Sequence, residues 1–80
     1  MKEITEVIAM LEEIASDSSV PKNVKDKVAV VIKILKNDGD LKVKVNKALN
    51  ELDEVADDPN LESYTRSQVW NIVSVLEKVA

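Results

Sequence analysis

Apolar residues recur along this chain at three- and four-residue intervals. Ile4, Val7, Ile8, Leu11, Ile14 and Ala15 form one such set. An α-helix turns about 100° per residue, so positions i, i+3, i+4 and i+7 share a face. Val24, Val28, Val31, Ile32 and Leu35 make a second set; Leu41, Val45, Ala48, Leu49, Leu52, Val55 and Ala56 a third; Val69, Ile72, Val73, Leu76 and Val79 a fourth. The pattern predicts four amphipathic helices. Polar punctuation falls between them, as "SDSSVP", "NDGD" and "DDPN". Pro21 suits the opening turn of the second helix, where a missing N–H costs nothing. Gly39 is placed for a left-handed cap, and Asp38 or Asp40 for the N-cap of the third helix. The stretch "VAVVIKIL" is dense enough in β-branched residues for a strand. Its flanks keep helical period and offer no hairpin partner, so it is read as helix.

The chain also repeats itself at an offset of 41 residues. Leu11/Leu52, Glu13/Glu54, Ala15/Ala56, Asp17/Asp58, Val28/Val69 and Leu35/Leu76 are identical pairs. Ile14/Val55, Val20/Leu61, Lys25/Arg66, Val31/Ile72 and Ile34/Val75 are close substitutions, and Ile4 aligns with Val45 and Ile8 with Leu49. The fold expected is all-α: an antiparallel four-helix bundle made of two similar helical hairpins, roughly residues 1–37 and 40–80, in one domain over 1–80. Asp17 and Asp58 recur outside the apolar pattern and are expected to act as helix caps.

Each half places an acid in its turn and then "NVK" or "YTR" at the opening of the next helix, which resembles a HEAT-type hairpin. A second resemblance covers nearly the whole chain. "VPKNVK", "DPN" and "TRSQVWNIVSVLE" are similar to the archaeal group called uncharacterised protein family 0147. That resemblance implies an all-helical bundle with no assigned activity. The family often has a proline and a histidine between "DPN" and the arginine, where Glu62 and Tyr64 stand here.

Composition narrows the chemistry. The chain has 80 residues, is 45% apolar and 2% aromatic, and contains no phenylalanine, cysteine or histidine. Val, Ile and Leu must fill the core. Disulfides, thiolate nucleophiles, imidazole bases and Cys/His zinc sites are excluded. A net charge of −4 disfavours nucleic acid as a partner. "MKEITEVIAM" mixes acids into its apolar pattern, unlike a signal peptide, and no apolar run reaches the roughly 20 residues of a membrane span. A soluble, cytoplasmic protein is expected.

No catalytic constellation is found. Asp57 and Asp58 are neighbours and point apart, while Asp53 and Asp57 share a helix face without an evident cleft. Asp58, Asn60 and Glu62 begin a calcium-loop spacing, but Ser63 takes the glycine's place and Val69 that of the distal acid. Ser16, Ser18 and Ser19 lack a base, and one glycine makes no phosphate loop. No cofactor, metal or small-molecule substrate is expected.

Surface features remain. Glu51, Asp53, Glu54 and Asp57 gather at an acidic end, several near a helix C-terminus where the dipole disfavours them. Lys33, Lys36, Lys42, Lys44 and Lys47 cluster toward the "NDGD" end. Val30, Ile34, Trp70 and Val75 lie off the core faces and form a candidate interface. The reading is a small non-catalytic interaction or scaffold module, either a homodimer or one bound to another protein. The alternative is an accessory nucleic-acid or ribonucleoprotein-binding protein using the lysine cluster.

Overall fold

A computed structural model describes residues 2–79. The four predicted segments are four helices: α1 (Lys2–Ser16), α2 (Lys22–Lys36), α3 (Leu41–Ala56) and α4 (Ser63–Val79). "VAVVIKIL" lies wholly within α2. Each helix packs against its neighbours in sequence, and α1 also packs against α4, closing a ring in which α1/α3 and α2/α4 are the diagonals. Turns of four to six residues force consecutive helices to run antiparallel. The result is the expected antiparallel four-helix bundle, 32 × 19 × 18 Å. Among the described residues no helix is long and apolar enough to cross a membrane.

The core is aliphatic, as the composition requires. Leu11, Leu35, Leu52, Ile72 and Leu76, with Val7, Val24, Val28, Val31, Val45, Val55 and Val69, are essentially removed from water. Burial of each such side chain contributes about 1.5–3 kcal/mol before the entropy cost of ordering the chain.

Burial follows the 41-residue repeat closely. Ile4/Val45, Val7/Ala48, Leu11/Leu52, Ile14/Val55, Val20/Leu61, Val24/Thr65, Val28/Val69, Val31/Ile72 and Leu35/Leu76 are buried in both halves. Ala29/Trp70 are exposed in both, and Lys25/Arg66 are half-buried in both. Among the described residues Thr65 is the buried polar one, at the place where the first half has Val24.

The turns repeat as well. Asp17 N–H donates to Ile14 O, and Asp58 N–H donates to Val55 O. Val20 N–H donates to Asp17 O and Leu61 N–H to Asp58 O, each at 3.2 Å. Val20 and Leu61 then plug the same end of the core. The two hairpins are copies of one design.

Three local expectations are corrected. Asp17 does not cap α2: Pro21 holds the N-cap position and makes no side-chain cap bond. The Asp17 carboxylate instead accepts from Ser19 N–H at 2.9 Å and Ser19 Oγ at 2.8 Å. Asp58 does the same with Asn60 N–H at 2.8 Å, rather than capping α4. Both are Asx-turns, in which the side chain holds backbone two residues onward. Gly39 has no positive φ; α2 ends through an extended Asn37 whose N–H donates to Ile34 O. The N-cap expected at the third helix is Asp40, which accepts from Val43 N–H at 3.1 Å.

Nothing lies within 4 Å of where a Cβ on Gly39 would sit. Gly39→Ala is therefore expected to stabilise the fold by about 0.4–1 kcal/mol through the unfolded chain, read as a higher urea midpoint with an unchanged slope.

Candidate interaction site

Which flank each off-core residue occupies follows from its neighbours one or two turns away. Lys27 Nζ meets Glu54 Oε1 at 2.8 Å, joining α2 to α3. Val30 and Ile34, three and seven residues on from Lys27, therefore face the α2–α3 flank. Ile34 lines a groove of about 270 Å³ there with Asn37, Asp38, Gly39, Asp40, Val43, Lys44 and Lys47. Val30 and Val43 are 47% and 52% exposed. Arg66 reaches from α4 to the end of α3, so Trp70, one turn further, sits on the α3–α4 flank, 47% exposed. Val75 is two turns on from Gln68, which lines a small cavity against α1, and is partly buried against the core. The four candidate interface residues thus lie on three flanks. Val30 and Ile34 share one flank, where Val43 meets Ile34 at the groove, while Trp70 and Val75 stand apart. Val43 was missed because its helix begins only two residues earlier, although the same 100° arithmetic places it off the core face.

The acidic candidates divide similarly. Glu54 is paired with Lys27, and Glu51 lies near enough to bear on the same lysine. The hydrogen bond that Lys27 donates to Glu54, reinforced by the charges of Glu54 and Glu51, holds the Lys27 ammonium above its ordinary pKa. Asp57 is the C-cap residue of α3, and Asp53 is exposed. At the same end Asn23 Nδ2 donates to Asp58 Oδ2 at 2.6 Å, tying the start of α2 to the α3–α4 turn.

Arg66 relieves the carbonyls that end α3. Its Nε donates to Ala56 O at 3.0 Å and its Nη2 to Asp58 O at 2.8 Å. A cation on C-terminal carbonyls satisfies orphan acceptors and answers the helix dipole. The repeat pairing Lys25/Arg66 marked a basic residue here, but not its target. In the first half Lys25 acts at longer range, helping to lower the Asp17 pKa, which the Ser19 backbone and hydroxyl bonds depress chiefly.

A second concavity, about 80 Å³, lies between the end of α1 and the start of α4, lined by Glu13, Asp17, Tyr64, Thr65 and Gln68 among others. It has room for a few waters rather than a substrate. No cluster of three metal-ligating side chains occurs among the described residues.

Toward the "NDGD" turn the lysines are partly committed. Lys44 Nζ donates to Asn37 O at 3.1 Å, closing the end of α2. Lys36 Nζ lies 3.6 Å from Glu12 of α1. Side chains lean toward the N-terminus of their own helix, so these two long chains approach each other along the groove between antiparallel neighbours.

The model of the uncharacterised protein family UPF0147 matches residues 1–79. The chain belongs to that family. Similar relatives are UPF0147 proteins of Methanosarcina mazei (36% identical, covering 95% of this chain and 83% of the relative) and Sulfurisphaera tokodaii (38%, 95% and 86%). A third, from Methanocaldococcus jannaschii, is 39% identical over 91% of this chain and 80% of the relative. A crystal structure of the unknown function protein MMP1188 superposes with a TM-score of 0.93 at 35% identity, covering 98% of this chain and 90% of that one. The four-helix fold and the family are therefore shared with proteins of archaea, and their descriptions assign no activity.

Two outcomes are expected from this end of the bundle. Arg66→Ala should cost about 1–3 kcal/mol, since partly buried carbonyls lose a charged donor, and Arg66→Lys should recover only part, because an ammonium lacks the two-pronged fork; urea unfolding measures both. Asp17 has a lowered folded pKa, so its contribution is complete above the ordinary carboxylate value and lost as pH falls through the lower folded one. Asp17→Asn should then flatten the loss of stability below about pH 4, measured as melting temperature against pH.

Proposed function

We propose that this protein is a small non-catalytic interaction module that binds protein through its α2–α3 flank. The observation that carries the reading is an asymmetry between the two hairpins. Val30 and Val43 hold half-exposed positions whose repeat counterparts are Asn71 and Lys2. The duplicated scaffold folds its other half with polar residues at those positions, so exposing valine there serves no need of the scaffold. Paired with the groove over Ile34, the two valines make the kind of apolar feature that marks binding surfaces. Trp70, a half-exposed aromatic on the adjacent flank, stands outside this patch.

The non-catalytic part of the reading rests on chemistry. The chain has no histidine or cysteine, and the larger groove is lined by aliphatic groups, lysines and turn aspartates. The lysine-cluster alternative is less favoured, because Lys36 and Lys44 are engaged within the molecule and Asp38 and Asp40 share their end.

Tagged protein recovered from its own cells should bring down a defined protein, which includes an untagged copy of itself. Val30→Asp with Val43→Asp should lose that capture while leaving helicity unchanged. Capture indifferent to both substitutions would refute the reading.

A further inference from the structure

We infer that the occupant of the α2–α3 flank is a second copy of this chain, docked antiparallel about a two-fold axis that crosses the middle of that flank. The inference rests on the flank reading above and adds the partner and its geometry.

Charge along the bundle is the first argument. The half of the molecule holding the "NDGD" turn (residues 2–8, 30–48 and 72–79) carries seven basic and five acidic side chains, and the other half four basic and ten acidic. One end is therefore net positive and the other strongly negative. Copies laid side by side in parallel would set like ends together. An antiparallel pair sets each positive end against a negative one, which favours that orientation and speeds its encounter.

The flank itself carries the same polarity at finer scale. Lys47 and Glu54 lie two turns apart on one stripe of α3, and both are exposed. Val30 lies midway along α2. A two-fold axis crossing that stripe between the levels of Lys47 and Glu54 exchanges them, so Lys47 of each copy faces Glu54 of the other; Val30, six residues before the end of α2 as Lys47 is six after the start of α3, stands level with Lys47 beside each pairing. An isologous contact of this kind is closed and repeats every pairing twice. Asp40, at the lower rim, is held by Val43 N–H; Glu54 keeps Lys27 at 2.8 Å with its side chain still 60% exposed, so a partner's Lys47 adds a second cation to it.

The repeat supplies an independent argument. The α1–α4 flank is the counterpart of α2–α3 in the duplicated design. Where α2–α3 has Val30, Val43, Lys44 and Lys47, the counterpart has Asn71, Lys2, Glu3 and Glu6. One flank has thus gained both its apolar centre and its positive lobe. The other has neither.

Size sets the strength. The 32 × 19 Å outline limits a flat contact to roughly 600 Å² per copy, so the pair buries less than about 1,200 Å², in the range of weak interfaces. A dimer with a dissociation constant in the micromolar range is expected.

Sedimentation equilibrium on the purified chain tests this. Wild type should dimerise with rising concentration and weaken with added salt. Lys47→Glu and Glu54→Lys should each raise the dissociation constant by about tenfold or more. An equimolar mixture of the two variants should recover dimer, because their heterodimer restores opposite charges at both repeats of the contact. Val30→Asp should abolish dimer, and Trp70→Ala should leave it intact. Circular dichroism of each variant separates misfolding from lost association. A wild type that stays monomeric to about 1 mM, or a mixture as weak as its components, overturns the inference. If monomeric wild type still loses its cellular partner on Val30→Asp with Val43→Asp, self-association falls and the module reading stands. If capture is unaffected too, both fall.

Discussion

The constraint on which this bundle depends is that an aliphatic core must close around four short helices without large rings to fill gaps. Interiors pack to near-crystalline density, so Leu and Val have to meet at fixed levels. The chain satisfies the requirement by using one hairpin twice. Leu11 and Leu52, Leu35 and Leu76, and Val28 and Val69 occupy equivalent buried places. Val20 and Leu61 cap the same end from equivalent Asx-turns. The acid in each turn belongs to this construction. It shapes the loop so that the third residue after it can drop into the core.

Once the core is accounted for by duplication, what the halves do not share becomes informative. Some differences are structural variations on a theme. Arg66 grips carbonyls at the end of α3 where Lys25 acts only through charge, and Asn23 binds Asp58 where Tyr64 and Asp17 leave a small cavity. Others, at Val30, Val43 and Lys47, alter only solvent-facing positions on one flank. A flank that differs in both apolarity and charge while the scaffold beneath it is unchanged is where binding specificity can be added at little cost to folding.

Most of the fold was legible in the sequence. Helical period, turn punctuation and the offset of 41 residues together specify a two-hairpin bundle, and even "VAVVIKIL" follows once its lack of a strand partner is weighed against its composition. The turn acids were placed correctly but given the wrong task, because Asp serves equally as an N-cap and as an Asx-turn former. Only the backbone decides between them. Gly39 was over-read for a similar reason: glycine permits a left-handed conformation and does not demand one.

The site was legible residue by residue and not as a surface. Val30, Ile34, Trp70 and Val75 all lie off the centre of their helix faces, as the wheel indicated. A wheel gives an angle about one axis, and says nothing of which neighbour stands on that side. Only the ring order of the helices sends Trp70 to one flank, Val75 to another, and brings Val43 to Ile34 on the flank that Val30 faces.

The central claim is that the two hairpins share a scaffold and that copies meet only where the hairpins differ. Because the chain has no cysteine, a single spin label can be placed at position 30 or at its repeat counterpart, position 71. Double electron–electron resonance at dimerising concentrations should give a short, well-defined distance between copies for the label at 30, and no such distance for the label at 71. Equal behaviour at the two positions, or a short distance at 71 alone, would contradict it.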